Sequence, residues 1–179
     1  MSGPLVVVCH PNLKESRVHR RWLDDLARLA IDVDVHDLHA AYPDWNIDVA
    51  HEQALIEHHD VIILQFPFYW FSCPPLLKKW LDEVFTRGWA YGAAGDRVAG
   101  KQLLLAISAG ISREDYHAAG RYSWTIDELI RPFELTARYT GMRFSGTFSA
   151  HGVKPGADQW LVEKAAADYL AQMRLWTKL

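Results

Sequence analysis

The sequence predicts an α/β fold, an open parallel sheet of five strands in the order 2-1-3-4-5 with helices wound on both faces. Three observations lead to this prediction. Short apolar runs recur along the chain and alternate with stretches of helical periodicity. Several of these runs are continuously apolar, which is typical of strands buried on both faces. No internal repeat, low-complexity segment or linker interrupts the pattern, so we expect a single domain over residues 1–179.

The first half of the chain predicts three strands and two helices. LVVVC is a short apolar run rich in β-branched residues, as in a buried strand, and DVIILQF has the most central character. IDVDVHDL alternates apolar and polar residues, as an edge strand does. Ser16 precedes a helical pattern in which Val18, Trp22 and Leu26 share one face. In order, the predicted elements are a strand at 5–9, a helix after Ser16, a strand at 31–38, a short helix at 51–59 and a strand at 60–66.

The second half predicts two further strands, QLLLAIS and MRFSGTFSA. A broad apolar stripe at helical spacing precedes the first of them, and another helical pattern separates the two. That second pattern contains Pro132, which predicts a kink or a junction between two shorter helices. Asp158 is the expected N-cap of a last helix. These elements lie at 76–85, 102–108, 124–140, 142–150 and after Asp158.

Composition excludes several functional classes. The net charge is −3 and the pI about 6.3, so no overall basic field favours nucleic acid as a partner. No apolar run approaches the roughly 20 residues of a membrane span. The two cysteines predict no disulfide framework, which indicates a cytoplasmic protein. The histidine pairs His36/His39 and His58/His59 are expected at the solvated surface rather than at a metal site, because no metal-binding or nucleophile motif accompanies them.

In the predicted strand order, a ligand site is expected beyond the carboxyl ends of the strands, where the order reverses. The segments 10–19, 67–75 and 108–116 converge there. In the first segment, Ser16 is placed to cap a helix whose free N–H groups favour an anion such as phosphate. Neither the P-loop nor the G-x-G-x-x-G pattern occurs in the chain. An ordinary strand–helix turn explains this segment equally well.

The other two segments suit a flat ligand. LQFPFYWFSCPP places five aromatic residues among prolines just after a central strand, and their faces are suited to stacking on a conjugated ring. Packing against neighbouring helices or a partner subunit is the alternative. SAGISREDY offers small residues that permit a close approach of the backbone to a ligand, followed by Tyr116; a plain turn at the strand end is the alternative.

Longer motifs in the chain resemble a known family. Four motifs occur in this order between about residues 42 and 137: YPDWNID, QFPFYWFSCPPLLKKWLDEVF, RGWAYG and RPFELTA. They resemble the flavodoxin-like NAD(P)H:quinone oxidoreductases, in particular a bacterial branch that includes ancillary subunits of glutathione-gated potassium efflux systems. The resemblance covers about residues 5 to 150. It implies a flavodoxin-like fold, a flavin cofactor and a homodimer with its active sites between the subunits.

The resemblance also implies which residues bind the flavin and which one acts in catalysis. Tyr116 matches a family tyrosine near a ring carbonyl, and the backbone N–H groups of 109–111 are expected to stabilise negative charge on the reduced ring. The implied flavin-binding residues are His10, Ser16, Arg17, Val18 and His19 at the phosphate and ribityl region, Phe68, Tyr69, Trp70 and Phe71 along the isoalloxazine ring, and Ser108, Ala109, Gly110 and Ile111 at its polar edge.

The sequence departs from the family pattern at three of these places. SAGI stands where T-T-G-G is usual, His19 stands where asparagine is common, and Tyr122 replaces a histidine that some members have six residues after the tyrosine. The implied activity is a two-electron, ping-pong transfer of hydride from NADPH or NADH to a quinone or another small aromatic acceptor.

Two alternatives to this activity come from different classes. The first is a flavin-binding regulatory subunit with little turnover of its own, which docks on a potassium efflux transporter at the inner face of the cell membrane. The second is an electron-carrier flavodoxin, which a net charge of only −3 disfavours. FMN is favoured over FAD because the chain has no evident insertion to hold an adenine.

Overall fold

The computed structural model describes residues 3–178. Five strands form one sheet in the order β2-β1-β3-β4-β5, and every neighbouring pair is parallel. The predicted fold class and strand order are therefore confirmed. The strands are β1 (Leu5–Val8), β2 (Asp34–Asp37), β3 (Val61–Pro67), β4 (Gln102–Ser108) and β5 (Arg143–Ala150).

Helices cover both faces of the sheet. Residues on β1 alternate between the two sides, so that Leu5 and Val7 face one apolar core while Val6 and Val8 face the other. The first core is closed by α3, α4 and α6, and the second by α1 and α7. The helices are α1 (His19–Arg28), α2 (Leu38–Ala41), α3 (Val49–Glu57), α4 (Pro75–Val84), α5 (Ile126–Leu129), α6 (Arg131–Tyr139) and α7 (Gln159–Trp176).

Most predicted boundaries hold to within a few residues. The helical pattern around Pro132 is two helices, α5 and α6, and the proline occupies the first turn of α6, where its missing N–H leaves no bond unmade. Asp158 does precede α7, but its side chain makes no capping hydrogen bond, so the prediction of a capping role was wrong. The short helix α2, at Leu38–Ala41, is not among the predicted elements, and its His39 and Ala40 N–H groups bond to the Asp37 carboxylate.

A buried polar centre lies beneath α4, in the first core. Glu52 on α3 is completely buried, and both of its carboxylate oxygens accept hydrogen bonds. Oε1 accepts from His36 Nε2 at 2.7 Å and from the Tyr42 hydroxyl at 2.5 Å, and Oε2 accepts from Trp80 Nε1 at 2.7 Å. Burial acts to raise the pKa of Glu52, but these hydrogen bonds outweigh it and hold the pKa below its ordinary value. We call these four residues the Glu52 centre.

The expectation of solvated surface histidines is wrong for two of them. His59 is buried, and its Nδ1 lies 2.8 Å from the Gly3 carbonyl oxygen. His36 is partly buried because it bonds to Glu52. Both side chains connect segments that are distant in sequence, which a local pattern does not reveal.

Candidate active site

A cleft of about 570 Å³ opens at the carboxyl ends of β1, β3 and β4, where the strand order reverses. Its size falls within the range of about 300–1,000 Å³ that is usual for small-molecule and cofactor sites. The structure brings all three predicted segments to this cleft. The predicted residues that line it are His10, Ser16, Arg17, Val18, His19, Phe68, Tyr69, Ser108, Gly110, Ile111 and Tyr116.

The start of α1 forms one end of the cleft. Ser16 Oγ accepts a hydrogen bond from the N–H of His19, the first residue of α1, at 3.0 Å. The N-cap position itself is Val18, so Ser16 satisfies this N–H from outside the helix and is not the N-cap that the sequence predicts. The N–H groups of Arg17 and Val18 donate to no acceptor within residues 3–178. Together with the helix dipole, these free donors make the end of the cleft suitable for an anion.

Two cationic side chains, Arg17 and Lys154, line the cleft. The Arg17 guanidinium donates to the Ala157 carbonyl oxygen at 2.7 Å and to Gln159 Oε1 at 2.9 Å, both neutral acceptors. Lys154 also lines the cleft, and neither cation forms an ion pair with a carboxylate in the described part of the chain. Against the single carboxylate of Glu15, the lining of the cleft as a whole carries an excess of positive charge.

Two neutral histidines lie beside the cations. Burial, and then the proximity of His39, lowers the pKa of His10, while burial and the proximity of His10 hold the pKa of His19 well below its ordinary value. His10 Nδ1 accepts from the Asn12 N–H at 3.1 Å, which leaves the Nε2–H of a neutral His10 as a donor. His19 Nε2 lies 2.7 Å from Ser108 Oγ, and its Nδ1 is buried without a partner among the described residues.

The aromatic loop contains a strained turn. Tyr69 and Ser72 exchange backbone hydrogen bonds of 3.1 and 2.9 Å, so that Trp70 and Phe71 occupy the centre of a two-residue hairpin turn. Both central residues have positive φ angles, +49° and +61°, a conformation that costs a bulky side chain of order 1–3 kcal/mol. Trp70 is 93% exposed, and neither ring lines the cleft, so the mouth stays open. Their predicted contacts with an isoalloxazine ring remain a prediction.

Tyr116 stands at the centre of an aromatic cluster at the other end of the cleft. Its ring centroid lies 5.7 to 6.4 Å from those of Phe68, Phe71, Tyr122 and His151. Burial, with smaller contributions from Tyr122 and Asp115, raises its pKa, so the hydroxyl keeps its proton at neutral pH. That hydroxyl makes no hydrogen bond to the described residues, so it is available to donate to a ligand.

The loop after β4 supplies two free backbone donors rather than three. The Ala109 N–H donates to the Ala150 carbonyl oxygen at 2.7 Å, extending the pairing of β4 with β5, and Ala109 does not line the cleft. The expectation that all of 109–111 offer N–H groups to a ligand is therefore wrong for Ala109. The N–H groups of Gly110 and Ile111 bond to no acceptor in the described residues. A Cβ on Gly110 would lie 3.3 Å from Lys154 Cβ, which favours glycine there.

Sequence reasoning missed the fourth segment of the cleft. The loop after β5 also lines the cleft, through Val153, Lys154, Pro155 and Gly156. The prediction considered only the strands beside the point where the order reverses. Gly156 was an available signal: it has a φ of +80°, as tight turns often require of glycine.

The donor set fits one kind of ligand. Phe68 and Tyr116 offer flat apolar walls, the free N–H groups at 110–111 offer donors to a polar ring edge, and the α1 end suits a phosphate. A planar heteroaromatic ring with a phosphate tail has this pattern.

Among residues 3–178 no group of three or more His, Cys, Asp or Glu side chains is arranged to hold a metal ion, and none of the helices described is both long and apolar enough to cross a membrane.

Comparison with known proteins agrees with this geometry. A family model described as flavodoxin-like fold matches residues 4–173. The chain is 52% identical, over 148 residues, to an uncharacterized NAD(P)H oxidoreductase of Bacillus subtilis, YrkL, with 83% of this chain and 84% of the relative covered. It is 45% identical, over 147 residues, to the glutathione-regulated potassium-efflux system ancillary protein KefG of Pectobacterium atrosepticum, with 80% of each chain covered.

Two solved structures extend the comparison. General stress protein 14 from Treponema denticola, solved in complex with FMN, has a TM-score of 0.90 and 44% identity, over 97% of this chain and 99% of that one. An NADPH-quinone reductase from P. pentosaceus has a TM-score of 0.78 and 32% identity, over 93% of this chain and 97% of that one.

Proposed function

The chain belongs to the family with the flavodoxin-like fold, and from this premise we propose that it is a flavin-dependent NAD(P)H:quinone oxidoreductase that uses FMN. The observation that carries the proposal is the pairing, in one cleft, of a helix start with free N–H donors and a flat apolar slot. The FMN complex of a relative with 44% identity supports the cofactor. The names of the B. subtilis and P. pentosaceus relatives support a nicotinamide donor and a quinone acceptor.

The residues of the cleft take separate roles in this proposal. The free N–H groups of Arg17 and Val18 bind the phosphate, with Arg17 and Lys154 supplying the charge. The neutral His10 supplies an uncharged hydrogen bond to the polyol chain between phosphate and ring, and the buried His19 holds Ser108 in place through its Nε2.

Phe68 would form an apolar wall for the flavin ring, with the predicted contribution of the aromatic loop 68–71. The free N–H groups of Gly110 and Ile111 would donate to the polar edge of the ring, where negative charge develops on reduction. A bound flavin would supply the two-electron chemistry that connects the nicotinamide donor with the acceptor. The protein orients both substrates and keeps the slot dry.

We also infer that the protein acts as a homodimer with its cleft completed by a second subunit. The exposure of Trp70 supports this inference, because a large apolar side chain at the mouth of a cleft is a typical interface residue. Sedimentation of the FMN-loaded protein tests it, and a monomer at micromolar concentration contradicts it.

Binding of FMN to the flavin-free protein tests the proposal directly. Lys154→Gln removes a cation at the phosphate end, so we expect FMN to bind about tenfold more weakly, the cost of one charge-assisted contact. Riboflavin has no phosphate, and its affinity should not change. Quenching of flavin fluorescence measures both affinities.

Lys78→Gln is the matched control, because Lys78 lies on α4 and pairs with Asp82 on the surface. The loaded protein should lose its visible flavin absorbance on anaerobic addition of NADPH or NADH and regain it when a quinone is added. Failure to bind any flavin would refute the proposal. Equal effects of Lys154→Gln on FMN and riboflavin would refute the phosphate assignment.

The KefG relative favours a second candidate, a flavin-binding ancillary subunit of a potassium efflux system, peripheral to the membrane. Steady-state turnover distinguishes the two functions. An enzyme reduces a quinone many times per molecule, whereas a purely regulatory subunit binds FMN with the same residues but turns over little.

A further inference from the structure

A second cavity, of about 810 Å³, adjoins the cleft. It is bounded by β5, by the loop between β4 and α5, and by the first turns of α7. Among the described residues Tyr116 alone lines both spaces. The loop after β4 passes from one to the other, since Gly110 and Ile111 line the cleft while Ser112 and Arg113 line the cavity. The cavity therefore adjoins the ring end of the cleft, and its volume suits a small-molecule site.

Trp160 gives this cavity a flat apolar face. It is the second residue of α7, and its side chain is 68% exposed. Its ring contacts no other aromatic ring among residues 3–178. An exposed indole face of this kind is suited to stacking on a heteroaromatic base.

The charged side chains of the cavity are unevenly paired. Lys164 donates to the Asp168 carboxylate at 2.5 Å, so these two charges offset one another. Arg113, Glu114 and Asp127 form no ion pair within the described part of the chain. One unpaired cation thus faces two unpaired carboxylates, whereas cations are in excess along the cleft.

This lining matches the AMP half of a nicotinamide donor. In the proposed function the nicotinamide ring enters the cleft beside Phe68 and Tyr116, so the AMP half must extend away from the ring end. In NADH that half has an adenine base, a ribose with two free hydroxyl groups, and one phosphate of the diphosphate. An aromatic face suits the base, a carboxylate accepts from the ribose hydroxyls, and a guanidinium binds the diphosphate. NADPH carries a phosphate on the 2′-oxygen, which unpaired carboxylates repel.

We propose that the second cavity binds the AMP half of the donor and thereby selects NADH over NADPH. The proposal rests on the function argued above and deepens it. Trp160 stacks on the adenine, and Arg113, where the cavity meets the cleft, binds the diphosphate. Asp127 accepts from the ribose hydroxyls. It lies on the first turn of α5, which the reciprocal cap between Thr125 and Glu128 holds in place.

Trp160→Ala tests the stacking contact. We expect kcat/KM for NADH to fall about tenfold, near the lower end of the usual range for a base on an aromatic side chain. The loss should appear in KM with kcat unchanged, because the contact is the same in the ground state and the transition state. Reduced nicotinamide mononucleotide donates the same hydride but has no AMP half, so its kcat/KM should not change.

Trp124→Ala is the matched control, because Trp124 is also exposed but lines neither the cleft nor the cavity. It should behave as the wild type with both donors. Equal losses with NADH and the mononucleotide in Trp160→Ala, or no loss with NADH, would overturn the proposal and leave the proposed function standing.

Asp127→Asn tests the choice of donor. The wild type should use NADH with a kcat/KM at least about tenfold above that for NADPH, and the variant should lose most of this ratio. A neutral amide accepts hydrogen bonds less strongly and does not repel a 2′-phosphate. Asp96→Asn, an exposed change outside the cleft and the cavity, should keep the wild-type ratio. A wild type that prefers NADPH, or an unchanged ratio in Asp127→Asn, would contradict the selection.

Calorimetry with ADP-ribose is independent of turnover. ADP-ribose is the donor without its nicotinamide, and an excess of FMN keeps it from the phosphate end of the cleft. We expect it to bind Trp160→Ala about tenfold more weakly than the wild type, and Trp124→Ala as tightly as the wild type. No binding at millimolar concentration, or equal binding by the wild type and Trp160→Ala, would refute the second cavity as the nucleotide site. Binding of ADP-ribose as expected by a protein that takes up no flavin would instead refute the proposed function.

Discussion

The two faces of the sheet each bury a polar centre, and the two centres differ in the completeness of their hydrogen bonds. In the Glu52 centre, in the first core, both carboxylate oxygens and all three donors are paired. In the second core, His19 and Ser108 are bonded to one another, while His19 Nδ1, Trp22 Nε1 and Gln65 Nε2 have no partner among the described residues. We call these four residues the His19 centre.

This difference separates stability from function. The Glu52 centre connects α3, α4, the β2 strand and the segment after α2, and it leaves nothing for a ligand to satisfy. The His19 centre adjoins the cleft, where both His19 and Ser108 are part of the lining. Unpaired polar atoms are costly in a finished core but useful beside a site whose ligand or solvent completes them.

Removing the indole N–H from each centre gives the largest expected effect. Trp80 and Trp22 are both completely buried, so Trp80→Phe and Trp22→Phe remove similar volumes. Trp80→Phe also leaves Glu52 Oε2 without its donor, whereas the Trp22 N–H has no bond to lose. We expect Trp80→Phe to lower the free energy of unfolding by about 1.5–3 kcal/mol more than Trp22→Phe.

Urea denaturation of the flavin-free variants measures this difference. Glu163→Gln, an exposed change on α7, sets the scale for a surface substitution, within about 0.5 kcal/mol of the wild type. Equal losses for the two tryptophan variants would mean that the Glu52 hydrogen bond contributes nothing, and the distinction between a complete and an incomplete centre would disappear.

The next largest effect is on the pH dependence of stability, because the two centres should lose their contributions to the free energy of unfolding at different pH values. Burial, and then the proximity of His10, lowers the pKa of His19 well below 6.5, so the folded state resists its protonation and stability is lost as the pH falls below 6.5. The pKa of Glu52 is lowered from 4.5, so its contribution is present above pH 4.5 and is lost below that value. Both centres lose stability in acid, but His19 does so first.

Two variants test which residue causes the loss of stability in each pH range. His19→Asn should remove up to about 1.4 kcal/mol per pH unit from the slope between pH 6.5 and 5.5, the value for one proton. Glu52→Gln should leave that slope unchanged and flatten the curve only below pH 4.5. Unfolding free energies from pH 4 to 8 provide the curves. If His19→Asn flattens only the lower window, His19 is not held neutral in the folded protein.

The sheet was predictable because its signals are local. The apolar run at 102–108 predicts β4 with its observed ends. The alternation of strands and helices predicts a parallel sheet, and five strands of this size suit the order that is observed. The Glu52 centre was not predictable in this way. Glu52 is the second residue of HEQALIEHH and stands between two polar residues, so nothing local indicates that it is buried. Its partners come from β2, the segment after α2, and α4, which only the tertiary structure brings together.

The site was predictable as a location but not in its detail. Parallel strands bring their carboxyl ends to one edge, so the sequence identified the segments that supply eleven of the fourteen predicted residues to the cleft lining. It missed Lys154 because β5 is not one of the strands beside the point where the order reverses, so the loop after β5 was not considered. The sequence also did not indicate that the Ala109 N–H would donate to the Ala150 carbonyl oxygen, because that hydrogen bond depends on how far β4 and β5 continue to pair.

The outward orientation of the Trp70 side chain could not be predicted from the sequence, because it depends on a backbone conformation that tryptophan rarely adopts. Its φ of +49° turns the ring outward at the mouth of the cleft. Like the unpaired atoms of the His19 centre, this strain lies beside the site. The Glu52 centre, by contrast, has no residue with positive φ. The comparison therefore predicts that the turn is not needed for stability.

The smallest expected effect is a gain in stability. Replacing Trp70 by Asn supplies, at the first central position of the turn, a residue that a positive φ angle favours. We expect the free energy of unfolding to rise by about 1 kcal/mol, because strain is relieved and little buried surface is lost from the 93% exposed Trp70. Phe71 is kept, because its ring packs against those of Tyr116 and Tyr122. Trp124→Asn, at another exposed tryptophan without positive φ, should give no gain. Quinone turnover and the affinity for FMN should both fall in Trp70→Asn, because the predicted contact of Trp70 with the flavin ring is lost. A loss of stability instead would mean that the Trp70 ring supports the fold, and strain at the cleft would then have no functional explanation.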